Sequence, residues 1–522
     1  HRVWLEDSCQ HSERTLLETG LLLELGLDEI QQIDGCGVGV KRGVVCIILS
    51  YVGYDDAYRF RACNCNSLEA LYHRMVVPAK RALEDIEPEN EMWGKFYNLV
   101  QEIAKEVVQV RPMTIKEFIK TGTGRQKAVW SRAAQKDRVY DKEWMVYDGF
   151  VKVEKYSYYE KPNRVPRLIL PPSDFAKVEM GRHIKPLDRA MKEIVLPGCV
   201  YPFVAKGMSS SELGERFFKM QSGFQDPVFI SIDMSKCDST IGARLKKGET
   251  MYYVNGQGTR CFERCMLAGH EESMYVRIAG KKIRVPQMRA SGTAHTGGGN
   301  TLDVALVSRT IFTEKMEIYS NGDDTILIVE QVEHEAVVAR IVGGCYSVFG
   351  FSVRIEQVTT ELEDVFWCQC HLTFVAGKWQ WIRDYKRVMQ TILSNENYGH
   401  KNWLSYLTGI ATGEGATNPG QPIISPLIEA VRKLGHKAMR TPNYNQTTRR
   451  WEAEGCPPPS ELVLTVTDSM RALFFKRHGI SPDEQLRIES KLVTDVASLQ
   501  KGSPIRTKYY WTDRGHPFGT CI

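Results

Sequence analysis

No apolar run in these 522 residues is long enough to cross a bilayer. The longest, such as Val44 to Leu49, fall far short of the roughly 20 residues that a spanning helix needs. A signal peptide is missing as well, so the 14 cysteines point to a reducing compartment with most thiols buried and free. Paired CxxC spacing is absent, which leaves Cys261-x3-Cys265-x4-His270 and Cys368-x-Cys370-His371 as weak zinc motifs. No glycine-rich stretch ends in Gly-Lys-Ser/Thr, which excludes a P-loop. The glycines of 35–45 stand alone and read as a loop or short hairpin with no cofactor. No internal repeat or low-complexity tract is evident. The chain begins with His1 instead of methionine, which reads as a segment of a longer product with any membrane anchor upstream.

What is present is ordinary globular composition, 43% hydrophobic and 25% charged, in a chain large enough for several subdomains. The net charge of +5 is too small to establish nucleic-acid binding, but the basic residues are clustered. Lys116, Lys120, Arg125, Lys127, Arg132, Lys136 and Arg138 face only Glu117 and Asp137 in one segment. Lys152, Lys155, Lys161, Arg164, Arg167, Lys177, Arg182 and Lys185 form a second. Single runs of this kind are usually solvated surface; two in succession suit a channel for phosphates.

The most informative segment is Ser320-Asn321-Gly322-Asp323-Asp324, set between the apolar arms 316–319 and 326–329. Asn-Gly predicts a tight hairpin. Adjacent carboxylates at its tip repel each other and raise a pKa, a conflict that a divalent cation removes. Upstream, Val228 to Ile232 predicts a buried strand that delivers Asp233 at its end, with Asp238 where the chain turns away. Asp233 is expected to meet Asp323 across the sheet, and carboxylates on two strands can hold two metal ions about 4 Å apart for in-line phosphoryl displacement. Between them, Ser291-Gly292-Thr293-Ala294-His295-Thr296-Gly297-Gly298-Gly299-Asn300 reads as a loop that comes close to a ligand, followed by a helix over 301–312.

These three segments resemble motifs A, B and C of viral RNA-dependent RNA polymerases: Asp233-x4-Asp238, Ser291-Gly292-x3-Thr296-x3-Asn300 and Gly322-Asp323-Asp324. Residues 150–155 with 165–171 resemble motif F of plus-strand RNA virus enzymes. Phe366-Trp367-Cys368-Gln369-Cys370 resembles motif E of the tombusvirus-like group, and 111–127 resembles that group's fingers. The likeness spans roughly residues 60–430, with the flavivirus-like enzymes next in similarity. Ser235-Lys236-Cys237 and the glycines 297–299 depart from the usual pattern and mark a divergent member.

The resemblance implies an α+β right-hand polymerase with fingers, palm (an antiparallel sheet on helices) and thumb. It implies template-directed RNA synthesis for viral genome replication and transcription, from ribonucleoside triphosphates. Asp233, Asp323 and Asp324 would be the catalytic, metal-holding group for Mg²⁺, with Mn²⁺ as a substitute. Asp238, Ser291 and Asn300 would read the ribose 2′-hydroxyl, supported by Thr296 and a flexing Gly292. Lys152, Lys155 and Arg167 would line the nucleotide path. Arg125, Lys127, Cys368 and Gln369 would contact RNA. Partners would be RNA template and product, nucleotides, other viral replicase proteins, and host membranes through an upstream region, in membrane-associated complexes of the host cytoplasm. No lysine occurs between Glu330 and Gly377, where such enzymes often place a proton donor, leaving Arg354 and His371 as candidates and the donor unassigned. A reverse transcriptase is disfavoured by Asn321-Gly322 and by polar Asp238, and an inactive RNA-binding subunit by the full set of carboxylates.

The expected division is an N-terminal extension or fingertips (1–90, with a helix over 68–86), fingers (91–225), palm with motif A (226–254), a fingers insertion (255–288), palm with motifs B to E (289–375) and thumb (376–522). Within it, a hairpin is predicted about Ala279-Gly280, a helix over 332–349, a two-layer palm, and a loop at Cys456-Pro457-Pro458-Pro459.

Overall fold

The computed structural model describes residues 64–87, 89–134, 139–152, 165–255, 258–395, 403–438 and 462–499, with strand segments at 46–47, 57–58, 156–157, 507–511 and 517–521. The glycine-rich 35–45, Lys136, Arg138, Lys155, Lys161, Arg164 and the loop at 456–459 lie outside these residues. The architecture is α+β. Among the described residues, no helix is long and apolar enough to cross a membrane.

The helix expected over 68–86 is present as Asn64–Leu71 and Val77–Asp85, joined by a π-helical turn at Tyr72–Val76. After it come α1 (Met92–Glu106) and α2 (Gly124–Ala134), then the two-stranded ribbon of β1 (Phe150–Val151) and β2 (Leu168–Ile169). The Ser173 hydroxyl caps α3 (Asp174–Ala190), and a reciprocal Ser209–Glu212 box caps α4 (Ser210–Gln221), which fixes where both helices begin.

The strand predicted ahead of Asp233 is β3 (Pro227–Met234). A short turn, α5 (Cys237–Thr240), and α6 (Ala243–Val254) follow. The predicted hairpin is β4 (Ser273–Ile278) with β5 (Lys281–Pro286), turning through Ala279 and Gly280. Helix α7 (Thr296–Ile311) leads into β6 (Met316–Asn321) and β7 (Asp324–Glu330). Helix α8 (His334–Val342) is shorter than expected, because Gly343 and the left-handed Gly344 (φ +83°) end it, leaving only a 3-10 turn at Ser347–Phe349. β8 (Val353–Thr359) completes an antiparallel sheet in the order β6-β7-β3-β8.

That sheet is covered on both faces, not one as a two-layer palm requires. Val228, Ile230, Ile232, Ile318, Leu327 and Val329 pack with the buried residues of α1, α6 and α7. Phe229, Tyr319, Ile326 and Ile328 face the other way, against Phe217 of α4 and the small sheet of β9 (Phe366–Trp367), β10 (Cys370–Val375) and β11 (Lys378–Arg383). The physical reason is in the central strands: β3 and β7 are apolar at successive positions, so both faces need cover, whereas edge strand β8 alternates. Beyond the small sheet, α9 (Tyr385–Leu393), α10 (Trp403–Thr417), α11 (Ile424–Lys433), α12 (Asp468–His478) and α13 (Pro482–Ser498) build a separate helical core around Leu407, Leu427, Phe474 and Leu492.

Candidate active site: carboxylates at one end of the sheet

In the β6–β7 hairpin Asn321 pairs with Asp324, leaving Gly322 and Asp323 as a two-residue turn. Gly322 has φ +73°, a conformation that a side chain disfavours. The Gly322 amide donates to Thr301 Oγ1 at 2.7 Å, which docks the tip on α7. Across the sheet, Asp233 of β3 stands opposite Asp324, not opposite Asp323 as the sequence suggested. The reason is register: the pairing ends at Asp324, and Asp323 belongs to the turn beyond it.

All three carboxylates nevertheless feel one another. Burial pushes the Asp323 carboxyl up, and the charges of Asp238 and Asp233 push it further against the pull of its own backbone amide and Arg167. Asp324 is pushed up to about 7, first by burial and then by Asp323, while a hydrogen bond from Cys368 opposes. That thiol donates to Asp324 Oδ2 at 3.3 Å, and the Trp367 indole donates to the Asp324 carbonyl at 3.1 Å. Cys368 thus rests against a carboxylate, in a turn where Cys368 and Gln369 both have positive φ. Arg354 reaches Asp233 Oδ2 at 3.3 Å and Glu356 at 2.6 Å. Asp233, Asp323 and Asp324 are oxygen donors of the kind a hard divalent ion takes, although their carboxylates as they stand are not gathered within 4.8 Å of one another.

Beside this cluster, Lys236 takes a left-handed conformation (φ 54°) that turns the chain so that Asp238 points back. Asp238 accepts from Asn300 Nδ2 at 2.7 Å and from the Ser291 hydroxyl. Thr296 Oγ1 accepts from the Gly292 amide (3.2 Å) and donates to the Ala290 carbonyl (3.1 Å), so it closes the loop over 290–296. Gly292 lies against Ile169 and Pro171, and the Leu170 amide donates to the Ser291 carbonyl at 2.6 Å. The ribbon that carries Arg167 is thereby tied to this loop. The Lys152 amide donates to the Arg167 carbonyl at 2.7 Å, so both basic residues sit on that ribbon.

The helix expected from residue 301 begins at Thr296, which places Gly297, Gly298 and Gly299 in its first turns. They serve close packing. A Cβ on Gly298 would strike Asp188, and one on Gly299 would come within 2.8 Å of the Arg289 guanidinium. Arg289 is the main residue that sequence reasoning missed. Fully buried, it donates Nε to Asn300 Oδ1 (2.9 Å), Nη1 to Glu249 (2.7 Å) and Nη2 to both Glu249 and Asp303. Burial opposes the Arg289 charge, but Glu249 outweighs it and holds the guanidinium cationic. Burial and the Glu249 charge together push the Asp303 carboxyl well up. The available signal was Asp303, a lone carboxylate inside the apolar run Leu302 to Leu306.

Other predicted residues lie elsewhere. Arg125 and Lys127 are exposed on α2. His371 is not at the carboxylates; it faces Asp384 and His478. Cys261, Cys265 and His270 do not gather as ligands, and His270 instead meets Thr250 at 2.9 Å.

A family model described as viral RNA dependent RNA polymerase matches residues 47–500, wider than the span the motifs covered. The RNA-directed RNA polymerase of carnation mottle virus is 24% identical over 387 residues, covering 71% of this chain and 49% of that protein. Those of tobacco necrosis virus (strain D) and turnip crinkle virus are 25% and 23% identical, covering 72% and 76% of this chain and 54% and 52% of theirs. The chain spans about half the length of these relatives. It belongs to the viral RNA-dependent RNA polymerase family.

Proposed function

We propose that this member of the viral RNA-dependent RNA polymerase family synthesises RNA on an RNA template from ribonucleoside triphosphates, for genome replication and transcription. The observation that carries the reading is the convergence of Asp233, Asp323 and Asp324 at one sheet end, beside an Asp238 held by Ser291 and Asn300. In this reading the β6-β7-β3-β8 sheet and its helices are the palm, 91–225 and 255–288 the fingers, and 376–522 the thumb.

Asp233 and Asp323 would hold two Mg²⁺, with Asp324 in support. The chemistry such ions would supply is a lowered pKa for the primer 3′-hydroxyl and charge balance on the leaving pyrophosphate. Arg167, whose charge acts on Asp323, would grip the triphosphate with its two-pronged fork. Asp238 and Asn300 would accept and donate to the ribose 2′-hydroxyl. Arg354 pairs with Asp233 and more closely with Glu356, and as a guanidinium it would not serve as the proton donor.

Asp323→Asn should abolish incorporation on a homopolymer template with Mg²⁺ and labelled ribonucleotides, while template binding persists. Residual activity within about tenfold of wild type, a barrier change of only ~1.4 kcal/mol, would sink the assignment.

A further inference from the structure

A second group of ligand-type side chains lies on the far side of the Cys368–Gln369 turn, and the polymerase chemistry does not use it. His371 on β10, Asp384 between β11 and α9, and His478 at the end of α12 present ligand atoms all within 4.8 Å of one another. His371 Nε2 and Asp384 Oδ2 are 3.9 Å apart, and the two imidazoles meet edge-on with centroids 5.7 Å apart. Asp384 Oδ1 already accepts the Lys386 amide at 3.0 Å, which leaves Oδ2 turned toward His371.

As a purely structural cluster the group is incomplete. A separation of 3.9 Å is too long for a hydrogen bond. His371 Nδ1, Gln421 Oε1 and Arg477 Nε are buried without partners, and their residues line one small cavity together with His478; Asp384 lies outside that lining, on the Nε2 side of His371. Burial, with Arg477 next, lowers His371 to about 3 and His478 to about 4.

We propose that His371, Asp384 and His478 form a structural site for a Zn²⁺-class ion that staples the β9-β10-β11 sheet to α12. Two imidazoles and one carboxylate are a donor set for Zn²⁺, whereas Mg²⁺ prefers oxygens and, on the proposed function, would take the hairpin carboxylates. With bonds of about 2.0–2.1 Å, ligands around one tetrahedral ion stand about 3.3 Å apart, so the side chains close by roughly 1 Å on binding. Arg477 is the opposing influence. Its guanidinium is held by the carbonyls of Glu363 and Leu372 and by Thr373 Oγ1 (2.8 Å), contacts that fix it in place beside the ion. Water completes the coordination. The site also braces the active-site hairpin indirectly, because the Asp384 amide donates to the Gln369 carbonyl at 2.9 Å, next to the thiol that touches Asp324.

The test uses the full chain, stripped with chelator and titrated with Co²⁺ in excess Mg²⁺ so that the carboxylate cluster is occupied. The expected result is one equivalent bound tighter than about 1 µM, with the visible absorption of four-coordinate Co²⁺ and displacement by Zn²⁺. His371→Ala and His478→Gln should weaken binding at least tenfold, whereas Asp323→Asn should leave it unchanged. Zn²⁺ should raise the melting temperature of the wild type but not of His478→Gln. Absence of Co²⁺ uptake by folded wild-type protein overturns the proposal, and so does wild-type affinity in both histidine variants. Loss of uptake in Asp323→Asn alone would also overturn it, by assigning the ion to the hairpin.

Discussion

The orientation of the Asn300 amide is set from two sides. Its nitrogen donates to Asp238 and its oxygen accepts from Arg289, so a flip would place like against like at both ends. Arg289 in turn is fixed by Glu249 and Asp303, a buried cation with its balancing charge. In the proposed function, Asp238 and Asn300, already paired with each other, would offer their remaining acceptor and donor capacity to the ribose hydroxyl. Asn300→Asp replaces the donor with a carboxylate facing Asp238, and the two repel. The expected outcome is a fall of about tenfold or more in the preference for ribo- over deoxy-GTP. Incorporation efficiencies of the two nucleotides, compared in wild type and variant, decide the matter; an unchanged ratio removes Asn300 from sugar reading.

At the scale of the element, α7 shows packing overriding propensity. Glycine is a poor helix former, and alanine in its place ordinarily gains up to about 1 kcal/mol. At Gly299 the new methyl would press on Arg289, an overpacking that costs about 1–3 kcal/mol. Gly299→Ala should therefore destabilise the protein in denaturant titration. Gly94 in α1 is the contrasting position: it is exposed, and a methyl there meets nothing within 4 Å. Gly94→Ala should stabilise by about 1 kcal/mol. If both substitutions shift the midpoint the same way, close approach to Arg289 is not what α7 requires of Gly299.

For the whole molecule, the two basic segments occupy different places. Arg167 sits on the ribbon tied to the Ser291 loop and acts on Asp323, whereas Arg125 and Lys127 are exposed on α2. Losing a contact to a nucleic-acid phosphate should reduce the salt slope of binding by about one unit. Arg125→Ala with Lys127→Ala is therefore expected to weaken template binding and flatten its salt dependence, with the nucleotide KM nearly unchanged. Arg167→Ala should do the reverse. Equal loss of template affinity in both variants, with nucleotide use intact, would show that Arg167 does not meet the triphosphate.

The hairpin at 316–330, the β4–β5 hairpin and the strand ahead of Asp233 were legible because each is specified locally, by apolar runs bounded by turn residues. The candidate carboxylates were legible for a similar reason: charge at the tip of an apolar element has few structural explanations. Side chains chosen by distant partners were not. Arg289 meets Glu249 and Asp303 from three separate segments, and His371, read with the neighbouring cysteines, faces Asp384 and His478 instead. Register also had to come from the fold, since which aspartate stands opposite Asp233 depends on where β7 ends its pairing. Sequence thus determined the elements and the carboxylates they carry. Only tertiary structure decided what braces Asn300 and Asp324, because a buried polar group takes its partners from whichever segments packing brings within hydrogen-bond reach.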